Sequence, residues 1–368
     1  GSMFWTRHRS NIALALWVLV VALFTPSVFY LYSLEPPESD FPLCYPEYNP
    51  VYYNEETAEE EAELADAQFR INLAGATDPE SQVMNLLVSN NGRISADSIP
   101  SLATLSEQFP DSGLVAAEYL IACSKDISHT ACSPGTFENV VQSHADNGAI
   151  WGSLALLNIE REDIEGAVTA LQQGAQAFGF DDYYSTQLRV LDAAAPDNDP
   201  LAVGSVFRFF RYADPTIGVS SAQVLTQFCL DNSADDTAVA EACAAYGERV
   251  ADGSGNLLGK GLGIATQEVV FNATGDTEQS ARVQAETEAQ RNYRNQFRGN
   301  FVGLMTYDQS LAVFWRDSLI EYGEVETIER LYREVMSRSA DPDYQPCDPS
   351  RLRFAFPYFY MGDERVSW

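Results

Sequence analysis

A long apolar run near the N-terminus constrains this chain more than any other feature of its sequence. Residues 12–34 are 23 consecutive uncharged residues, most of them aliphatic or aromatic. In an α-helix they would extend about 34 Å, which matches the hydrocarbon layer of a membrane. Arg7 and Arg9 precede the run and Glu35 follows it. By the positive-inside rule, the run predicts a single-pass signal anchor with residues 1–11 in the cytoplasm and the body outside.

A cleaved secretory signal peptide is the main alternative for this segment. The apolar part of such a peptide is usually shorter and ends at small residues. Thr25 and Ser27 could form a weak cleavage site, but the bulky Val28 and Phe29 follow it directly. A retained anchor fits better, and we expect a bacterial inner-membrane protein with a periplasmic body. The sequence Asn-Ala-Thr at 272–274 is a formal glycan acceptor, so a eukaryotic type II protein remains an alternative.

All six cysteines follow the apolar run, which agrees with a body in an oxidising compartment. The spacings within the two closest pairs do not resemble those of zinc sites, but they suit local disulfides. The predicted pairs are Cys123–Cys132, Cys229–Cys243 and, by elimination, Cys44–Cys347. Other pairings, or six buried thiols, remain open at this stage.

The charge of the chain and its missing motifs exclude several function classes. It has 22 Lys+Arg against 53 Asp+Glu, a formal net charge of −31, which would repel nucleic acid. The three histidines lie in no zinc-binding pattern, and no phosphate loop, dinucleotide fingerprint or nucleophile elbow is present. The glycine-rich residues 253–263 lack the spacing of a phosphate loop and are interpreted as a helix–loop element. The sequence therefore predicts no cofactor, no metal site and no catalytic residue, and hence a protein that is not an enzyme.

The rest of the chain is predicted to be all-α. Five prolines within residues 35–54 predict an extended stalk, and an acidic helix follows it up to residue 76. Between residues 77 and 345, apolar helical windows alternate with short breaks, and residues 346–368 form an aromatic tail. The predicted helices are 79–90, 97–108, 113–123, 135–146, 148–160, 162–178, 183–194, 200–211, 219–230, 235–250, 255–272, 276–298, 306–321 and 324–338.

One window has the residue pattern of a known helical repeat. The pattern residues are Trp151, Leu154 and Ala155 in a first helix, Asp163, Ile164, Glu165, Gly166 and Ala167 at a turn, and Leu171 and Gly174 in a second helix. On these positions, residues 148–181 resemble a tetratricopeptide (TPR) repeat. The resemblance implies antiparallel helices that need neighbouring hairpins to bury their faces, hence a degenerate, α-solenoid-like array. An ordinary α-helical domain with one repeat-like hairpin is the alternative.

Two surface features are candidates for partner binding. In the predicted helix 276–298, arginines three and seven residues apart share one face beside an aromatic pair. In the tail 346–368, alternate aromatic residues would share one face of an extended segment. The candidate residues are Arg291, Arg294, Arg298, Tyr293 and Phe297 in the helix, and Phe354, Phe356, Tyr358 and Tyr360 in the tail. Alternatively, the arginines pair with the acidic body and the tail packs over it.

The resemblance to a protein-binding repeat implies a function. Repeats of this type usually bind proteins, so we expect a scaffold for a protein partner in a cell-envelope assembly, anchored in membrane lipid by residues 12–34. One alternative is a membrane-tethered hydrolase of envelope glycan or peptide, which would need two converging carboxylates. Another is a sensor or inhibitor module.

Overall fold

A computed structural model describes the central and largest part of the chain. The described residues are 55–196, 208–209, 211–213, 219–296, 304–305 and 307–347. Within these ranges the structure has thirteen α-helices and no strand, with a single β-bridge between Asn147 and Gly179. The prediction of an all-α fold is confirmed for this part of the chain.

The predicted anchor, residues 12–34, and the stalk, residues 35–54, lie outside the described residues. No helix within the described ranges has both the length and the apolar character needed to cross a membrane.

The helices follow the predicted windows closely, apart from the window 200–211, most of which lies outside the described residues. In chain order they are α1 (Glu55–Gly75), α2 (Pro79–Ser89), α3 (Ile99–Gln108), α4 (Gly113–Lys125), α5 (Pro134–Ser143), α6 (Gly148–Glu160), α7 (Ile164–Gln176), α8 (Tyr184–Ala193), α9 (Val219–Asn232), α10 (Thr237–Gly253), α11 (Leu257–Thr274), α12 (Thr277–Gln296) and α13 (Gln309–Ser339). Short polar side chains begin many of them because their oxygens accept hydrogen bonds from the first free backbone N–H groups. Asp78, Asp163, Asp236, Asn256 and Asp308 are capping residues of this kind.

Helices that are close in the chain mostly pack against one another. α3 packs against α4, α4 against α6, and α6 against α7. The series continues from α7 to α10, from α10 to α11, and from α11 to α12, while α9 lies against α6 and α11. At the other end of the body, α1 packs on α2, and α8 packs on both α2 and α13.

Two large apolar cores hold this arrangement together. The first lies mainly among α1 to α5, α8 and α13, and the second lies mainly among α7 and α9 to α11. Trp151 and Leu154, two residues of the repeat pattern, pack against both cores. Ala155 and Ala167 are fully buried, which lets α6 and α7 approach closely.

Helix α13 folds back on itself at Gly323, whose φ is 74° and ψ is −177°. Arg338 near its end binds Asp308 at its start, with Nη1 and Oδ2 2.8 Å apart. A straight helix would separate these residues by about 45 Å, so the two halves must form a hairpin. The predicted windows 306–321 and 324–338, joined near Gly323, are therefore confirmed.

Both predicted local disulfides are present. Cys123 at the end of α4 is bonded to Cys132, and Cys229 in α9 is bonded to Cys243 in α10. Cys347 is also disulfide-bonded, whereas its predicted partner, Cys44, lies outside the described residues.

Candidate functional site

The two surfaces predicted from the sequence fall at or beyond the limits of the described residues. Arg291, Tyr293 and Arg294 belong to the last turns of α12, but their side chains are not among those described. Outside the described residues altogether are Phe297, Arg298, Phe354, Phe356, Tyr358 and Tyr360. Their role in partner binding stays a prediction.

A different aromatic residue is displayed by the loop between α7 and α8. Phe178 is 95% exposed, more than any other large apolar side chain in the described part of the chain. It lies near the end of the repeat-like window 148–181, and no sequence pattern singled it out. Residue type alone does not show whether a phenylalanine is buried or exposed. The only sequence signal for a surface loop at this position was the neighbouring Gly179.

Backbone hydrogen bonds fix the loop on the C-terminal side of Phe178. Gly179 donates its N–H to the carbonyl of Asp146 at 2.8 Å and accepts from the N–H of Gly148 at 2.9 Å. Asn147 uses its side-chain amide to bond both the N–H and the carbonyl of Asp181, each at 2.9 Å. These bonds attach the loop to the segment that begins α6.

Contacts with α10 fix the loop around Phe178 as well. Arg249 donates from Nη2 to the carbonyl of Ala177 at 2.8 Å. Phe180 turns inward, and its ring lies 6.5 Å from the buried ring of Tyr246. Phe178 is therefore held outward by a loop whose neighbours on both sides are bonded to the body.

Near the end of this loop, a buried carboxylate joins it to the turn between α10 and α11. Asp182 accepts hydrogen bonds at Oδ2 from Ser254 Oγ and from Asn256 Nδ2, each at 2.7 Å. Its Oδ1 accepts from the backbone N–H of Tyr184 at 3.1 Å. Burial raises the pKa of Asp182 above its ordinary value, although the hydrogen bond from Ser254 opposes this effect.

The same turn is also bonded to the bend in α13. The carbonyl of Gly255 accepts from the N–H of Glu324 at 2.7 Å and from that of Val325 at 3.3 Å. In return, Glu324 Oε2 accepts from the N–H of Leu257, the first residue of α11, at 2.9 Å. The turn before α11 and the bend in α13 thus each supply an acceptor for free N–H groups of the other. The α7–α8 loop, the α10–α11 turn and the α13 bend form one hydrogen-bonded unit, which we call the junction.

The raised pKa of Asp182 predicts that the stability of the junction depends on pH. A carboxyl group with a raised folded-state pKa contributes stability that is fully present below its unfolded pKa and is lost as the pH rises through the folded pKa. In the variant Asp182→Asn, the side chain at position 182 has no titratable group. Urea unfolding at pH about 4, 5.5 and 7 should therefore show the wild type losing stability relative to this variant as the pH rises.

The control for this measurement is Asp252→Asn, which changes an exposed carboxylate at the end of α10. It should give a difference from the wild type that varies much less with pH. The assignment of a raised pKa would be contradicted if the difference in unfolding free energy between wild type and Asp182→Asn did not change with pH. It would also be contradicted if the wild type gained stability relative to the variant as the pH rises.

A second cluster combines arginine and aromatic side chains where α1 meets residues 208, 211 and 212. The rings of Phe69 and Tyr212 stack at 6.0 Å, and the guanidinium of Arg70 donates to the Tyr212 hydroxyl at 2.8 Å. Arg211 lies 5.1 Å from the Tyr212 ring and Arg208 lies 5.3 Å from the Phe69 ring. The sequence FRFFRY at 207–212 alternates these residue types and could have revealed the cluster. Its main effect is to pack α1 against the body, with Arg211 exposed.

Comparison with known proteins assigns no family to this chain. No protein-family model, no curated protein and no solved structure matches the chain. Among the side chains that the structure describes, no group of three or more His, Cys, Asp or Glu could hold a metal ion.

Proposed function

We propose that this chain is a membrane-anchored scaffold whose helical body binds a protein partner outside the cytoplasm. The observation that carries the proposal is the 95% exposure of Phe178 on a loop fixed on both sides. Aromatic side chains are among the residues that contribute most to protein interfaces. A loop that is ordered before binding loses less conformational entropy when it binds, so this arrangement favours recognition.

The packing of the body supports a scaffold. Helices pack in series through α3, α4, α6, α7, α10, α11 and α12, and two pattern residues of 148–181, Trp151 and Leu154, contact both cores. We interpret this as a degenerate array of the TPR-like kind, in which surface loops and helix faces bind partners. Phe178 follows directly on the second helix of the hairpin that carries the resemblance, so the proposed contact lies at one end of that hairpin.

The sequence and the disulfides support the proposed location. Residues 12–34 provide a signal anchor, and the basic residues before it favour a cytoplasmic N-terminus. The disulfides Cys123–Cys132 and Cys229–Cys243 are typical of proteins in oxidising compartments such as the periplasm.

The buried acid of the junction is explained by its contacts within the body. A glycan hydrolase would place two carboxyl groups on either side of a substrate. Asp182 instead receives hydrogen bonds from Ser254, Asn256 and the backbone of Tyr184, so its oxygens are engaged by the protein itself.

Crosslinking from position 178 tests the proposed function. A photoreactive amino acid in place of Phe178, in the full chain in its native membrane, should yield one predominant crosslinked protein in amounts comparable to the chain itself. The variant Phe178→Ala should weaken retention of that protein by about 2 kcal/mol, a loss of more than tenfold, because it truncates the anchoring side chain.

A photoreactive amino acid at Leu258, another exposed apolar position, is the matched control and should not capture the same protein with equal yield. If neither crosslinking from 178 nor affinity purification recovers a stoichiometric partner, the proposed scaffold function is wrong.

A further inference from the structure

Helix α1 exposes an apolar surface on the side opposite to the core. Its inner residues, Phe69 and Leu73, are fully buried, whereas Leu64 is 65% and Ile71 is 63% exposed. Two exposed alanines continue this surface. We call the set the outer strip, and it comprises Leu64, Ala67, Ile71 and Ala74. Its alternation of three- and four-residue steps places all four residues on one helix face, as in the seam of a coiled coil.

We propose that the outer strip packs against the outer strip of a second copy of this chain, with the two helices antiparallel. The order of large and small residues supports this arrangement. In one antiparallel register, Leu64 lies opposite Ala74 of the other copy, and Ile71 lies opposite Ala67. Every large side chain thus meets a small one, so two helices can approach closely while the larger residues fill the space. A parallel pairing would instead place like against like.

The charges of α1 also favour the antiparallel orientation. Residues 55–63 contain six glutamates, all on the N-terminal side of Leu64. In a parallel pair the two acidic segments would lie side by side and repel. In the antiparallel register they extend from opposite ends of the overlap, about 15 Å apart, which exceeds the screening length of about 8 Å at physiological ionic strength.

The size of the outer strip predicts a reversible dimer. A contact of three helical turns buries less surface than the roughly 1,200 Å² at the lower end of stable interfaces. Two copies confined to one membrane have a high effective concentration, which compensates for a small contact area. This dimer forms through α1 and does not depend on a partner at Phe178, but its effective concentration rests on the proposed membrane anchor.

Site-specific crosslinking tests both the contact and its orientation. The full chain is produced in membranes as two differently tagged variants, Leu64→Cys and Ala74→Cys, and treated with a short bismaleimide. The described cysteines are all in disulfides, so none of them competes with the introduced thiol for the reagent. We expect a crosslinked dimer in the mixture of the two variants, at least tenfold more abundant than in either variant alone.

Adding Ile71→Asp to both variants should reduce the crosslinked dimer at least tenfold, because it places a charge at the centre of the contact. The matched control is Ile164→Asp, the same change at another exposed isoleucine, which should leave the yield unchanged. Higher salt should increase the yield, because it screens the repulsion between two acidic chains.

Three results would overturn the proposal. Crosslinking of the single variants to themselves with equal yield would show a parallel or random contact. No dimer in the mixture would show that the outer strip does not contact a second copy. A crosslink to another protein that weakens with salt would show that a basic partner occupies the strip.

Discussion

The variant Gly263→Ala should destabilise the body by about 3 kcal/mol, because two helix backbones meet at this residue. Gly263 in α11 faces Gly247 in α10. A methyl group at position 263 would overlap the backbone nitrogen of Ala251 and the carbonyl oxygen of Gly247. Both are main-chain atoms of a helix, so neither can move aside as the end of a side chain would. The two helices must separate, and the second apolar core would lose contacts along their length.

Gly261→Ala is the matched control for this prediction. It lies in the same helix two residues earlier, and a methyl group there would have no other heavy atom within 4 Å, apart from its own helix and chain neighbours. Because alanine favours a helix over glycine by up to about 1 kcal/mol, this variant should be neutral or slightly stabilised. Urea unfolding followed by circular dichroism measures both changes. Equal unfolding free energies for the two variants would show that α10 and α11 are not in close contact at Gly263.

The glycine-rich residues 253–263 show which properties of the fold a sequence pattern can predict. The absence of phosphate-loop spacing correctly predicted a helix–loop element, with a turn followed by α11. The pattern did not distinguish Gly263 from Gly261. That distinction depends on the crossing of α11 with α10, which brings residue 263 to Gly247 and leaves residue 261 open.

The disulfides and the helix ends depend on residues that are close in the chain, and these features could be predicted. Cys123 and Cys132, as well as Cys229 and Cys243, are close in the chain, so their spacing was enough to predict them. Capping residues such as Asp163 accept hydrogen bonds from N–H groups within three residues of them in the chain. The starts of the helices could therefore be predicted from the sequence.

The junction and the exposed loop could not be predicted in this way. Asp182 is buried because it meets Ser254 and Asn256, which are 72 and 74 residues away. Phe178 is exposed because its neighbours are bonded to α10 and to the start of α6. In both cases the side chain has the opposite burial to that typical of its residue type, and only tertiary contacts can cause such a reversal.

The second large effect is expected at the bend of α13, where Gly323→Ala should cost about 4 kcal/mol. Gly323 has φ 74° and ψ −177°, a backbone conformation that is essentially restricted to glycine and strains other residues by about 1–3 kcal/mol. A methyl group there would also lie 2.7 Å from the carbonyl oxygen of Gly255. That oxygen accepts the hydrogen bonds from Glu324 and Val325 that hold the bend in the junction. Displacing it adds roughly 1–2 kcal/mol to the strain.

Gly275→Ala is the control for a positive φ without a steric contact. Gly275 ends α11 with φ 73°, and a methyl group there would have no heavy atom beyond its chain neighbours within 4 Å. The free energy of unfolding of this variant should fall only by the cost of placing alanine in a left-handed backbone conformation, about 1–2 kcal/mol. If Gly323→Ala destabilises the chain no more than Gly275→Ala does, the contact between the bend and Gly255 contributes nothing. If it costs about 2 kcal/mol more, the excess contains both the greater backbone strain at ψ −177° and the loss of the contact with Gly255. Amide hydrogen exchange should then increase at Glu324, Val325 and Leu257, whose N–H groups are bonded within the junction.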